Sequence, residues 1–172
     1  MIEDIRNRQK HPSVFLGNIT PIIRRVTLLD PAYLYDVFAS LDLTIANKGT
    51  LKSADTFLLF NPEQGYLGGL DDQEIVTTVR GTNTGRMWQL IRPLPPQSEI
   101  SFRTEYHFEG RLTFHPNFGK LWTIKGDSPL DDVAIEWTVF ADSAPPRRSR
   151  VTMAELGFIS LLNQFTPLHS SH

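Results

Sequence analysis

The chain has 172 residues, 40% hydrophobic and 21% charged, a balance that excludes wholesale disorder and supplies one ordinary domain. A formal net charge of −2 gives no strong nucleic-acid signal, since a general nucleic-acid binder carries a large basic excess. Cysteine is absent, which removes disulfides, thiolate metal sites and cysteine nucleophiles together.

Residues 1–12 read as a short helix. Asp4 precedes Arg8 by four positions, the favoured order for a helical ion pair, and Pro12 stops it. Its apolar residues are Ile2 and Ile5, so it is either a frayed leader or the end of a helix from an upstream domain. Residues 14–16 (VFL) and 22–29 (IIRRVTLL) are β-branched or leucine runs broken by Gly17, Asn18 and Pro21. They read as strands or strand-like arms, with Arg24 and Arg25 on opposite faces. The first clear strand starts at Leu41. Leu41, Leu43 and Ile45 face one way, Asp42 and Thr44 the other, and Asn47-Lys48-Gly49 ends it with residues that tolerate positive φ. Residues 56–60 make the next strand, broken by Asn61-Pro62.

Residues 65–74 (GYLGGLDDQE) are glycine-rich and acidic, which predicts a loop. Residues 75–80 read as a strand, 81–85 as a turn and 86–92 as a returning strand, before Pro93-Leu94-Pro95-Pro96 blocks further pairing. The strongest two-residue period follows. Ile100, Phe102, Thr104, Tyr106 and Phe108 alternate with Ser101, Arg103, Glu105, His107 and Glu109. Residues 132–141 repeat the pattern, with Val133, Ile135, Trp137 and Val139 on one face. Residues 150–153 allow a last strand. Thr152 and Glu155 have capping-box spacing, so a helix starts there; Gly157 costs it about 1 kcal/mol and Pro167 closes it.

Seven or more half-buried strands separated by turns predict antiparallel pairing and a mostly β fold of two packed sheets; a barrel is the competing closure. The expected inter-sheet core is Leu41, Leu43, Ile45, Ile100, Phe102, Tyr106, Phe108, Val133, Ile135, Trp137 and Val139. The expected organisation is a leader helix and arm over 1–36, a sandwich over 37–153 and a helical tail over 154–172.

Three stretches carry a family resemblance. Residues 41–50 (LDLTIANKGT) followed by Ala54, residues 94–100 (LPPQSEI), and residues 131–142 followed by Ser-Ala-Pro-Pro resemble, in order, segments of bacterial immunoglobulin-like domains, including the cell-adhesion-related type. The match covers residues 37–153. It implies an antiparallel immunoglobulin-like β-sandwich with short helical or arm extensions, and a hairpin closed by Asn47-Lys48-Gly49 between the second and third strands. The basic leader resembles the joint that ties C-terminal accessory domains to larger bacterial proteins. The resemblance implies a binding or spacing role and brings no catalytic residues. The segments 65–74 and 110–129 are longer than that pattern.

Several constellations are candidates for chemistry. Asp71, Asp72 and Glu74, with Asp127, Asp131 and Asp132, would supply hard oxygen ligands to Ca²⁺ if the loops met; otherwise they are solvated loop acids. His107 lies between Glu105 and Glu109 on a polar face, an acid/base or metal arrangement in principle and a simple ion pair in the plainer reading. His115 precedes Pro116 in a loop. No phosphate-cradling glycine loop or nucleophile elbow is present. Arg147, Arg148 and Arg150 form a basic run that would contact an anionic partner or simply be solvated. Trp88, Trp122 and Trp137 would stack sugars if exposed, Trp122 being the candidate for exposure; core packing is the alternative. The tail residues Leu156, Phe158, Ile159, Leu162 and Phe165 are too many for one helical face against one sheet, which points to a protein partner or self-association, or to cover for an open sheet edge.

These readings point to a non-enzymatic protein-interaction or accessory domain that needs no cofactor. The alternatives are a ligand-binding sandwich for carbohydrate or calcium, and then an enzyme. No run of about 18 apolar residues is present to span a bilayer. Taken alone, the chain is expected to be cytoplasmic; as a piece of a longer protein, its location is open.

Overall fold

The computed structural model describes residues 11–29, 34–81, 85–117, 119–124, 128–164 and 168–170. They form two mainly antiparallel sheets with a few short helical turns. β1 (Val14–Leu29) and β2 (Leu34–Asn47) pair along their whole length. β3 (Phe57–Pro62) crosses to the second sheet, and β4 (Tyr66–Leu70) returns to the first. β5 (Val76–Gly81) and β6 (Arg86–Leu90) belong to the second sheet. β7 (Ser98–His115), β8 (Gly119–Ile124) and β9 (Ser128–Pro129) belong to the first. A single 3₁₀ turn (Leu130–Asp132) leads to β10 (Ala134–Phe140) and β11 (Arg147–Thr152). Then come α1 (Met153–Leu156), α2 (Phe158–Gln164) and β12 (Leu168–Ser170). The seven-stranded sheet runs β12-β1-β2-β7-β8-β9, with β4 on β7; the five-stranded sheet runs β11-β10-β3-β6-β5. β12 pairs parallel to the end of β1. No helix among the described residues is long and apolar enough to cross a membrane.

The alternating runs place the core. Leu41, Leu43, Ile45, Phe102, Tyr106 and Phe108 from the large sheet meet Phe60, Trp88, Ile135 and Val139 from the small one, all buried. Trp88 stacks on Phe60 at 5.6 Å and takes the edge of Phe102 at 5.6 Å. Ile100 and Trp137 pack against this core but are only partly buried. Two phenols tie neighbouring segments to it: Tyr35 donates to the Thr123 carbonyl of β8 at 2.7 Å and Tyr106 to that of Gln64, between β3 and β4, at 2.6 Å. Burial pushes both phenols well above the ordinary tyrosine range, so both stay protonated donors.

Several expectations need correction. The arms of residues 14–29 are one continuous strand, whose Gly17 and Arg24 sit at register shifts; Val26 and Leu28 are buried. The sandwich therefore starts upstream of residue 37, which lies inside β2. The segment 65–74 is not all loop, because Tyr66–Leu70 pairs with β7: Leu67 plugs into the core, and the two glycines that lower strand propensity sit in a bulge. Asn47 closes no hairpin to β3, which lies in the other sheet. Its side chain instead accepts from the Ser13 and Gly49 amides and donates to the Leu51 and Leu94 carbonyls, fixing the crossing. Residues 110–129 are mostly the β7–β8 hairpin and β9. The capping box at Thr152 and Glu155 is present, yet Gly157 takes a left-handed φ of 75° and splits the expected helix in two. The leader helix and Phe165 fall outside the described residues, apart from His11 and Pro12 at the leader's end.

Candidate functional site

β2 and β7 pair in register over 14 residues. Their alternate residues fill the core, so the others project together from the outer face of the large sheet, in rows set by the pairing. One row is aromatic. Arg25 on β1 lies opposite Phe38, Phe38 opposite His107, and His107 opposite Tyr66 on β4. The Arg25 guanidinium sits 5.8 Å from the Phe38 ring centre. The His107 ring meets Phe38 edge-on at 4.3 Å and stacks on Tyr66 at 5.0 Å with an interplanar angle of 12°. Tyr66 is 54% exposed, a large side chain held at the surface by its stack on His107.

The next row is Ser40, buried and accepting from Arg24 Nε at 3.0 Å, with Glu105 beside it. Gly68 and Gly69 together oppose Glu105 across the β4 register shift, and the Gly69 amide lies 3.4 Å from the Glu105 carboxylate. A methyl group built on Gly69 would meet nothing within 4 Å, whereas one on Gly68 would meet the Glu105 side chain, so the open backbone here is that of Gly69 alone.

Further along lies a depression of about 510 Å³ lined by Asn18, Thr20, Asp42, Thr44, Asp71, Asp72, Ser101, Phe102 and Arg103, within the usual range of ligand sites. Arg103 forms a two-pronged ion pair with Asp42, Nε to Oδ1 and Nη2 to Oδ2 at 3.0 Å. The hydrogen bond from Arg103 holds the Asp42 carboxyl below its ordinary range against the opposing effect of burial, aided by the charges of Arg103 and Arg24. Asp42, then Asp71 and Asp72, stabilise the Arg103 cation. Thr44 and Ser101 share a hydroxyl–hydroxyl bond of 2.8 Å, and Asn18 donates to Thr20 at 3.0 Å. The depression thus offers hydroxyl, amide, carboxylate and guanidinium groups on rigid strands.

The residues expected from sequence lie elsewhere. Phe158 and Leu162 are in the core, and Leu156 and Ile159 pack against it. Phe158 meets Phe108 at 5.5 Å and Tyr106 at 6.4 Å, and Asn163 accepts from the Trp122 indole at 2.9 Å. These contacts are the cover reading of the tail. Arg147 donates to Ser13 at 2.9 Å and lies 5.9 Å from the Phe15 ring centre. Arg150 pairs with Glu63 at 3.2 Å and Glu136 at 3.9 Å, while Arg148 is exposed. Alternation along β11 separates Arg147 from Arg148 and Arg150, so the three do not form one cluster. Trp88 and Trp122 are buried, contrary to the exposure considered for Trp122, and Trp137 is half-buried. Arg24 and Arg25 are both exposed, because a register shift between Ile23 and Arg25 interrupts the alternation. His107 belongs to the ring row, and the side chain of His115 lies outside the described residues. Asp71 and Asp72 line the depression while Asp131 and Asp132 sit in the 3₁₀ turn, and Asp127 is outside the described residues. Among the described residues no three His, Cys, Asp or Glu side chains are grouped to hold a metal ion.

Sequence reading missed Phe38, Tyr66, Asn18, Thr44 and Ser101 as neighbours. The usable signal was the Tyr66-Leu67 alternation entering a glycine pair, which marks a strand carrying an outward ring.

No family model matches the chain, and no curated protein is similar to it. Among solved structures, the crystal structure of beta-D-glucoside glucohydrolase from Trichoderma reesei aligns with 82% of this chain and 19% of that one, at 13% identity and a TM-score of 0.30. The chain spans about a fifth of that protein's length, and a likeness of this degree carries no argument about activity.

Proposed function

We propose that this chain is a non-enzymatic binding or accessory module whose working surface is the outer face of the seven-stranded sheet. The observation that carries this reading is the coincidence, on one face of the sheet formed by β2, β7 and β4, of a ring row that ends in the exposed Tyr66 and a mixed polar depression. Both sit on strands whose opposite faces are locked in the core, so the groups are pre-positioned and little ordering entropy is lost on binding. The resemblance to bacterial immunoglobulin-like domains supports the same role, since such domains act as binding or spacing units.

The test is an amide-shift titration of the whole chain with neutral oligosaccharides, a basic peptide and an acidic peptide. The expected result is saturable shifts at outward residues 38–44 and 101–107 with the ligand recovered unchanged. Shifts centred on β11 or on the C-terminal helices would overturn the choice of surface, and chemical turnover of a ligand would overturn the non-enzymatic role.

A further inference from the structure

From the chemistry of that face, and resting on the reading just proposed, we infer that its ligand is an extended neutral saccharide lying along β2 and β7, from the Tyr66 ring to the Asn18–Ser101 end of the depression. Three observations converge on this class. The first is the ring. Tyr66 is 54% exposed and backed by His107, so a flat aromatic surface is held against a rigid support. A pyranose places its axial C–H groups on such a surface, where the negative face of the ring attracts them.

The second is the floor between the two ends. Gly69, on the neighbouring β4, puts no side chain there and the space above it is open, while the Glu105 side chain lies over Gly68, so a sugar ring can approach the backbone closely at Gly69. The distance from Phe38 to Thr44 along the strand is about 20 Å at ~3.3 Å per residue, the length of a short oligosaccharide.

The third is the depression itself. Thr44 and Ser101 hydroxyls, the Asn18 amide and the paired Asp42 and Arg103 present donors and acceptors side by side, which suits vicinal hydroxyl groups that both give and accept hydrogen bonds. The surplus of carboxylates around Arg103 repels phosphates, sulfates and acidic peptides from the depression. Asp42 occupies the Arg103 guanidinium, while at the other end of the face the exposed Arg24 donates to Ser40 and Arg25 lies against Phe38. A basic peptide satisfies the charge of the depression but not the open Gly69 backbone and the hydroxyl pair, and it stands as the competing outcome.

The experiment is titration calorimetry of the whole chain with a soluble β-glucan, a xylan, a galactomannan and pullulan, then with oligosaccharides of rising length from the best of these. Saturable binding of one polysaccharide is expected, with affinity that grows with chain length and changes little between low and high salt. Tyr66→Ala should weaken it roughly three- to tenfold. Thr44→Val with Ser101→Ala should weaken it about fivefold. Gly69→Gln, at a position with room for a side chain, should abolish binding while the melting curve stays that of the parent. Binding unmoved by all three variants overturns the placement. Failure of all four polysaccharides, with the basic peptide shifting the same amides in a salt-sensitive way, overturns the saccharide and leaves the binding face standing. Failure of every ligand to shift that face overturns both.

Discussion

Replacing Phe158 by Ala tests whether the C-terminal helices are part of this domain's core or a docking element. Phe158 is fully buried in the single chain, with its ring 5.5 Å from Phe108 and 6.4 Å from Tyr106, both edge-on. Truncation of such a phenylalanine costs about 3–5 kcal/mol, a large share of the roughly 5–15 kcal/mol that holds a domain folded. For a chain of this size that is a fall in melting temperature of roughly 6–20 °C. Urea unfolding followed by the fluorescence of Trp88, Trp122 and Trp137 reads the loss directly. Trp122 is a local reporter, because its indole donates to Asn163 on the same helix. Ser160→Ala, on the exposed side of α2, is the control and should change stability by no more than about 0.5 kcal/mol. A docking element gives the opposite pattern: Phe158→Ala keeps the parent's urea midpoint at low protein concentration and instead loses a larger species in sedimentation. That result would refute the packing argument.

Two further outcomes follow from burial and charge. Trp88→Ala, which removes a ring lying between Phe60 and Phe102, should cost about 3–5 kcal/mol, while Trp137→Ala, at a half-buried site, should cost distinctly less; equal urea midpoints would show that the inter-sheet assignment is wrong. Asp42→Asn removes a carboxyl whose titration is lowered first by the Arg103 hydrogen bond. A group depressed in the folded state contributes stability above its unfolded pKa, about 3.9, and loses it as pH falls through the lower folded value. The parent should therefore exceed the variant by a small, nearly constant margin, as for other solvent-screened pairs, down to about pH 4, with the margin vanishing only below it. A margin that instead shrinks between pH 5 and 7 would show that another group is responsible.

Alternation made the frame legible because burial on one face of a strand leaves a two-residue period in the chain. Residues 41–45 and 100–108 showed it clearly, and their inward sets, apart from the partly buried Ile100, are buried. Where the period failed, a local geometric event was responsible. The register shift between Ile23 and Arg25 turned two neighbouring arginines outward together. The bulge at Gly68 and Gly69 hid a strand behind two residues of low strand propensity. Gly157 in a left-handed conformation let the apolar tail present residues to the core from two short helices, which answers the excess of apolar positions on any single helical face.

The site was less legible than the frame for a reason that lies in distance. Read along its own strand, His107 has Glu105 and Glu109 as neighbours two positions away, close to 7 Å at strand spacing. Across the sheet its neighbours are nearer, about 5 Å between opposed β-carbons, and they are Phe38 and Tyr66. Thr44 and Ser101 are separated by 57 positions yet share a hydrogen bond of 2.8 Å. A linear reading ranks contacts by sequence separation and so favours the carboxylates; the sheet ranks them by register, and register is fixed by the core residues on the other face. The chemistry of the outer surface is therefore set from the inside. A change that slipped β2 against β7 by one residue would turn Phe38 inward, away from His107, and expose Leu41, Leu43 and Ile45, so the core that stabilises this module is also what aligns Phe38 with His107 and Asp42 with Arg103.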